Sequence, residues 1–189
     1  ALDFAIPAAL DQAGIQARDL GPVDIYSCFP CAVFAAVDTM NNASRSLGDY
    51  TLTGRLSFFG GPGNGYSVYN IAAMVDALRQ DGSKPALVTA NGGVMSKQAV
   101  GIYTASQPDI AWSGAVAKGY VPNQIALDDA PQGKGRVLSF VRSAGKEGFG
   151  PATIIVEMEN GARAMAVLES TPDIDLGNVI VEVKAGEKR

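Results

Sequence analysis

The 189-residue sequence contains no histidine. That absence excludes Ser-His-Asp and Cys-His catalysis within the chain, because imidazole is the side chain that most often moves protons near neutral pH. Two cysteines without histidine cannot supply the four soft ligands of the usual zinc sites, so no metal is expected. Two cysteines do not make a disulfide framework either, and the chain reads as cytoplasmic. No apolar run approaches the roughly 18 residues that cross a bilayer, which argues against a membrane role. No signal peptide is visible. The chain begins with Ala1 rather than Met, and an upstream segment is expected. Charged residues make up only 18% of the chain and the formal net charge is −4, which argues against nucleic acid. Residues 1–110 hold nine Asp and no Glu, whereas residues 111–189 hold six Glu and four Asp.

Against these shortages stands an apolar content of 47%, enough for a real core. The shift in acidic residues coincides with a shift in element pattern, and we place a domain boundary between Tyr103 and Val121, as 1–110 and 111–189. Phe4, Pro7, Ala8, Leu10 and Ala13 predict a helix over 2–13, with Asp3 as N-cap and Gly14 as its end. Residues 23–27 read as a buried strand. Pro30 opens a second helix that runs to about Met40. Residues 41–65 read as loop. Ile71, Met74, Val75 and Leu78 recur at helical spacing and predict a helix over 66–79. Strands are predicted over 86–90 and 99–104, with a tight turn at Asn91-Gly92-Gly93 between them. Alternating strands and helices imply an α/β fold with a doubly wound sheet, whose ligand crevice lies beyond the carboxyl ends of the strands.

The tail contains four β-rich runs, over 135–142, 153–159, 162–168 and 179–184. Asn160-Gly161 between the second and third is a hairpin signal. Short strands at this density suggest a small all-β, OB-like barrel.

Several groups could carry chemistry. Cys28-Phe29-Pro30-Cys31 is a Cys-x-x-Cys between a strand and a helix, the context in which a thiol becomes redox-active; the same pair also reads as two small buried residues. The loop from Gly60 to Gly65 is glycine-rich and precedes a helix, which suits an anion. No Lys-Ser/Thr follows it, so it is not a nucleotide P-loop; it also reads as a structural turn. Asp128 and Asp129 read as a solvated loop, and Trp112 as packing between domains.

Three segments, taken in order, resemble the thiolase superfamily. They are PVDIYSCFPCAVFAAVD from Pro22, TLTGRLSFFGGPGNGYS from Thr51 and LVTANGGVMSKQAVGIY from Leu87. The chain is most similar to the C-terminal half of the sterol-carrier-protein-type thiolases, in particular the thiolase-like proteins of type 1, which are of acetyl-CoA acetyltransferase type. The extra OB-like domain of that group corresponds to residues 111–189. The resemblance implies an acyl-CoA-handling fold of two related halves. It implies acyl transfer in lipid metabolism, with a coenzyme A thioester as substrate or ligand and no covalently bound cofactor.

In active relatives a cysteine of the first half takes the acyl group, a Gly-His-Pro histidine activates it, and a Cys-x-Gly cysteine serves the second substrate. Here Gly61 stands at that histidine and Ala90 at that second cysteine. Tyr26 and Ser27 replace the His-Asp of His-Asp-Cys-Phe, whereas Cys28 and Phe29 are kept. Thr51 and Arg55 depart from Asn-x-x-Gly-Gly, and Gln98 departs from Lys-His-Ala. Cys28 is therefore the remaining catalytic candidate. Tyr26, Ser27, Phe29, Gly60, Gly61, Pro62, Asn64, Asn91, Gly92 and Gly93 are the substrate-binding candidates. Two functions stand open: an acyl-CoA-binding protein of acyltransferase ancestry, or a non-catalytic scaffold module of an acyl-CoA enzyme assembly. The expected partners are acyl-CoA and an upstream thiolase N-terminal half or a partner chain, with a homo-oligomer as a further possibility.

Overall fold

The computed structural model describes residues 1–107, 119–146, 148–168 and 175–186. Two compact units are present, Ala1–Pro122 and Asn123–Arg189.

In the first unit, helix α1 spans Leu2–Ala13 and buries Leu2, Ile6 and Leu10, one residue per turn. It stops at Gly14, whose φ of 67° suits a residue without Cβ. No side chain caps its start; the N-cap is Ala1, and Asp3, expected there, lies in the first turn. Strand β1 is only Val23–Asp24, shorter than the predicted 23–27. The physical reason lies in the next two amides. The Ile25 N–H donates to the Tyr50 carbonyl at 3.2 Å, and the Tyr26 N–H to the Thr89 hydroxyl at 2.9 Å, so the ladder ends.

Helix α2 spans Pro30–Met40, with Pro30 in its first turn and Asn41 in the left-handed conformation at its end. The predicted loop over 41–65 contains three short helical turns: 3-10 turns at Leu47–Tyr50 and Gly63–Gly65, and helix α3 at Leu56–Phe59. Ser46 and Asp49 explain the first of these, because their side chains cap each other's backbone N–H groups. Helix α4 spans Tyr66–Gln80 and buries Tyr66, Asn70, Met74 and Leu78. Its inward stripe therefore contains an amide that hydropathy spacing reads as polar.

Strands β2 (Ala86–Gly92) and β3 (Lys97–Tyr103) pair antiparallel, and β1 pairs parallel with β2. Asn91 and Gly92 are ladder residues, paired with Gln98 and Lys97; the expected turn there sits instead at 93–96. Alternation along β2 divides the core. Leu87 packs with α1 and α2, while Ala86 and Val88 pack with Met74 and Leu78 of α4. Helices thus cover both faces of a mixed three-stranded sheet. Fully burying a side chain such as Leu87 contributes about 2 kcal/mol.

The second unit is all-β: β4 (Gly133–Gly145), β5 (Gly148–Met158), β6 (Arg163–Leu168) and β7 (Ile180–Val183). The order β6-β5-β4-β7 is antiparallel throughout, a Greek-key order with the fourth strand beside the first. Gly161, at φ 80°, turns the chain between β5 and β6. Among the described residues β6 and β7 pair with no common strand, so the barrel closure of an OB fold is not among the pairings. One isolated parallel bridge, Leu127 with Arg163, lies beside β6. Trp112 lies outside the described residues. No helix among the described residues is long and apolar enough to cross a membrane.

Candidate functional site

The site is built where β1 and β2 end. Asp24 is fully buried, and its Oδ2 accepts from the Leu52 N–H at 2.8 Å, the Thr53 N–H at 2.9 Å and the Thr53 hydroxyl at 2.9 Å. Its Oδ1 accepts from the Asn70 amide at 2.8 Å. Four donors stand in for water around this carboxylate, which is how a buried charge is tolerated. They join β1, the segment before α3, and α4. The Tyr66 hydroxyl lies 3.5 Å from Thr53 Oγ1 and 3.4 Å from Ser27 Oγ. Ser27 Oγ also accepts from the Leu56 N–H at 3.2 Å, which fastens the start of α3 to the end of β1. Tyr26 packs edge-on against Tyr66, with ring centres 5.1 Å apart, and Phe59 packs against Tyr66 and Tyr69.

These anchors frame a cleft of about 320 Å³ lined by Tyr26, Gly63, Asn64, Ser67, Ala90, Asn91, Gly92, Lys97, Gln98 and Ala99. Four of the residues expected from sequence thus line one cavity: Tyr26, Asn64, Asn91 and Gly92. Ser27 stands behind it, in the anchoring network. Cys28 is half-buried, and its Sγ accepts a hydrogen bond from the Asn91 amide at 3.4 Å. Phe29 is exposed and serves as the N-cap of α2. Gly60, Gly61 and Pro62 lie on the exposed loop after α3, and Gly93 begins the turn after β2. Ser67, Lys97 and Gln98 were not among the expected site residues. Gln98 is the most informative of them. Its Nε2 donates to Asn91 Oδ1 at 3.0 Å and to the Met95 carbonyl at 3.3 Å, and so sets the orientation of the Asn91 amide. Only the pairing of Gln98 with Asn91 across the hairpin reveals this role.

The cleft offers amides from Asn64, Asn91 and Gln98, hydroxyls from Tyr26 and Ser67, and one cation, Lys97. No carboxylate and no thiol lines it. Such a lining is chemically suited to anionic and amide-bearing groups, and offers little means of moving a proton at neutral pH. No three His, Cys, Asp or Glu side chains come together as a metal group among the described residues.

No protein-family model and no curated protein matches the chain. A solved structure does: a monomeric SCP2-thiolase-like protein type 1 from Mycobacterium smegmatis, with a TM-score of 0.87 and 31% identity over 99% of this chain. The chain spans 43% of the length of that protein. With its helix-covered sheet, its Greek-key unit and this whole-length similarity, the chain is thiolase-like in fold.

Proposed function

We propose that this chain is the C-terminal, cleft-bearing portion of a thiolase-like protein that binds acyl-CoA thioesters and has lost the customary condensation chemistry. The observation that carries this reading is the lining of the cleft. Ala90, at the position of the family's second cysteine, is in its wall, among three amides and Lys97. Coenzyme A is a polyanion with two amide bonds in its pantetheine arm, which matches a lining of one cation and several amide donors. Gly61, at the position of the family's histidine, lies on the adjoining exposed loop and carries no side chain. Losing one member of a catalytic unit ordinarily costs orders of magnitude in rate.

The test is isothermal titration of the full-length protein with acetyl-CoA and with free coenzyme A. Binding is expected, with Lys97→Glu and Asn91→Ala each weakening it by roughly fivefold or more, about 1 kcal/mol. Absence of heat at millimolar ligand would remove the ligand reading. A separate acetyl-transfer assay addresses Cys28: turnover that is unchanged in Cys28→Ala takes that thiol out of any mechanism.

A second reading, a scaffold module with its contact on the all-β unit, is favoured by one feature. Ile155 pairs with Met165, and Thr153 with both Val141 and Val167, on the sheet face away from the core. Val141, Met165 and Val167 are each more than 60% exposed. Light scattering of the full-length protein and of Val167→Lys reads this face. A smaller assembly in the variant, at unchanged melting temperature, supports the contact, and identical masses oppose it.

A further inference from the structure

We propose that Lys97 accepts the acyl group of a bound acyl-CoA thioester, a self-acylation that leaves an amide in the cleft in place of its one cation. The inference rests on the acyl-CoA reading above and adds to it a site of covalent modification.

Hairpin register builds the site. Gly92 stands opposite Lys97, and Ala90 opposite Ala99. Residues directly opposite in an antiparallel pair share a face, and so do residues two apart along a strand, so these four form one block. All four line the cleft. Three of them carry a methyl group or less, which leaves Lys97 as the only long side chain of the block and the space beside it to a ligand. A Cβ placed on Gly92 would stand 3.4 Å from Lys97 Cβ and 3.8 Å from its Cδ, so the lysine stem lies across that glycine. Ala90 is about 7 Å further along the strand, within the span of the four-carbon stem and its nitrogen. At about 320 Å³ the cleft is near the lower limit of ligand pockets and holds only one end of a molecule as large as coenzyme A. Amides from Asn64, Asn91 and Gln98 match the pantetheine end, which carries the thioester.

The lining also selects the acceptor. The Tyr26 and Ser67 hydroxyls need a base to become nucleophiles, and no carboxylate or thiol lines the cleft to provide one. An amine needs none once its ammonium has given a proton to water. Among the described residues no carboxylate forms an ion pair with Lys97 that would hold it aside. The neutral nitrogen attacks the thioester carbonyl carbon, the C–N bond forms and the C–S bond breaks. The departing thiolate takes the proton that the nitrogen loses, and coenzyme A leaves as the thiol. Holding both groups in one cleft turns an encounter in solution into an intramolecular reaction. The product amide is neutral and its acyl group occupies the block, so the reaction limits itself to one turnover.

The test incubates the full-length protein with acetyl-CoA alone and follows each lysine by peptide mass spectrometry. Lys84, exposed and outside the cleft, is the internal reference. Lys97 is expected to gain an acetyl group roughly tenfold or more faster than Lys84. Its rate should level off as acetyl-CoA saturates the cleft and fall when free coenzyme A competes. Asn91→Ala should slow the labelling of Lys97 and leave that of Lys84 unchanged. The acetylated protein should bind free coenzyme A roughly fivefold or more weakly. Calorimetric heat on binding coenzyme A, with Lys97 and Lys84 labelled at equal rates, would overturn self-acylation and leave the binding reading standing. Absence of both heat and preferential labelling would overturn the two together. Fast labelling of Lys97 that neither saturates nor yields to free coenzyme A would show a lysine reactive without a bound donor, and would also overturn the proposal.

Discussion

The amide of Asn70, buried in the middle of α4, donates to the buried carboxylate of Asp24 at the end of β1, 2.8 Å away. This bond ties the helix on one side of the sheet to the strand that leads into the cleft. Replacing Asn70 by Ala leaves Asp24 Oδ1 buried without a partner. A loss of about 2 kcal/mol is expected, read by urea or thermal denaturation. A loss under about 0.5 kcal/mol would show that the bond does not hold the two elements together.

Arg55 occupies φ 69° and ψ 178°, a region essentially reserved for glycine. Its Nε is buried without a partner, while its Nη2 donates to the Leu47 carbonyl at 2.7 Å. Arg55→Gly loses that bond, worth about 1 kcal/mol, and relieves backbone strain of about 1–3 kcal/mol. The variant should therefore melt about 2–4 °C higher. A lower melting temperature would mean that the Leu47 contact outweighs the strain.

A Cβ on Gly61 would meet only Leu56 Cδ2, at an ordinary 3.6 Å. Gly61→His should accordingly fold, with a stability change within about 0.5 kcal/mol. Because the chain has no other histidine, a single imidazole resonance in proton NMR will follow its titration without overlap. By contrast, a Cβ on Gly82 would collide with Ala105 Cβ, and Gly82→Ala should cost about 1–3 kcal/mol. Equal melting temperatures for these two variants would contradict the packing described around both glycines.

The Ser46 hydroxyl and N–H hold the Asp49 carboxyl below its ordinary range, and the Arg136 guanidinium, 2.6 Å away, does the same for Glu157. Both carboxyls are more acidic folded than unfolded. Their contribution is complete above the ordinary carboxylate range near about 4, and it is lost as the pH falls through the lowered folded values. The melting temperature should drop on acidification from about pH 5 to pH 2. The Asp49→Asn, Glu157→Gln double variant should show a shallower acid limb. An acid limb of unchanged slope would remove these two groups from the acid response.

Helices were legible because their signals are local. Pro30 and Gly14 punctuate the chain at one start and one end, although of the residues read as the apolar face of α1 only Leu10 is buried, beside Leu2 and Ile6. Strand ends were less so. Whether β1 continues past Asp24 depends on the Thr89 hydroxyl, 63 positions away, capturing the Tyr26 N–H. Asn91 and Gly92 carry turn chemistry, yet pairing with Gln98 and Lys97 keeps them in the ladder. Asp24 lies in the run read as a buried strand, but the partners that allow its burial, Leu52, Thr53 and Asn70, are distant in sequence and unmarked by any motif. Gln98 stood out only as a departure from Lys-His-Ala; that it and Lys97 line the cleft follows from their hairpin register opposite Asn91 and Gly92. In the all-β unit, Gly161 announces its hairpin, but nothing near Ile180 announces that β7 returns to β4.

That return has a consequence for the order of events during synthesis. Strands β4, β5 and β6 can zip together as neighbours while the chain emerges. The first residues of β4, from Gly133 to Arg136, then wait for Ile180 and its neighbours, which are translated more than forty residues later. Until β7 arrives, the nascent protein carries an open run of unpaired amides and carbonyls along β4, competent to capture a strand from another chain. The interval between translation of β4 and of β7 is thus the window in which misassembly competes with folding, and a pause within it would lengthen the exposure.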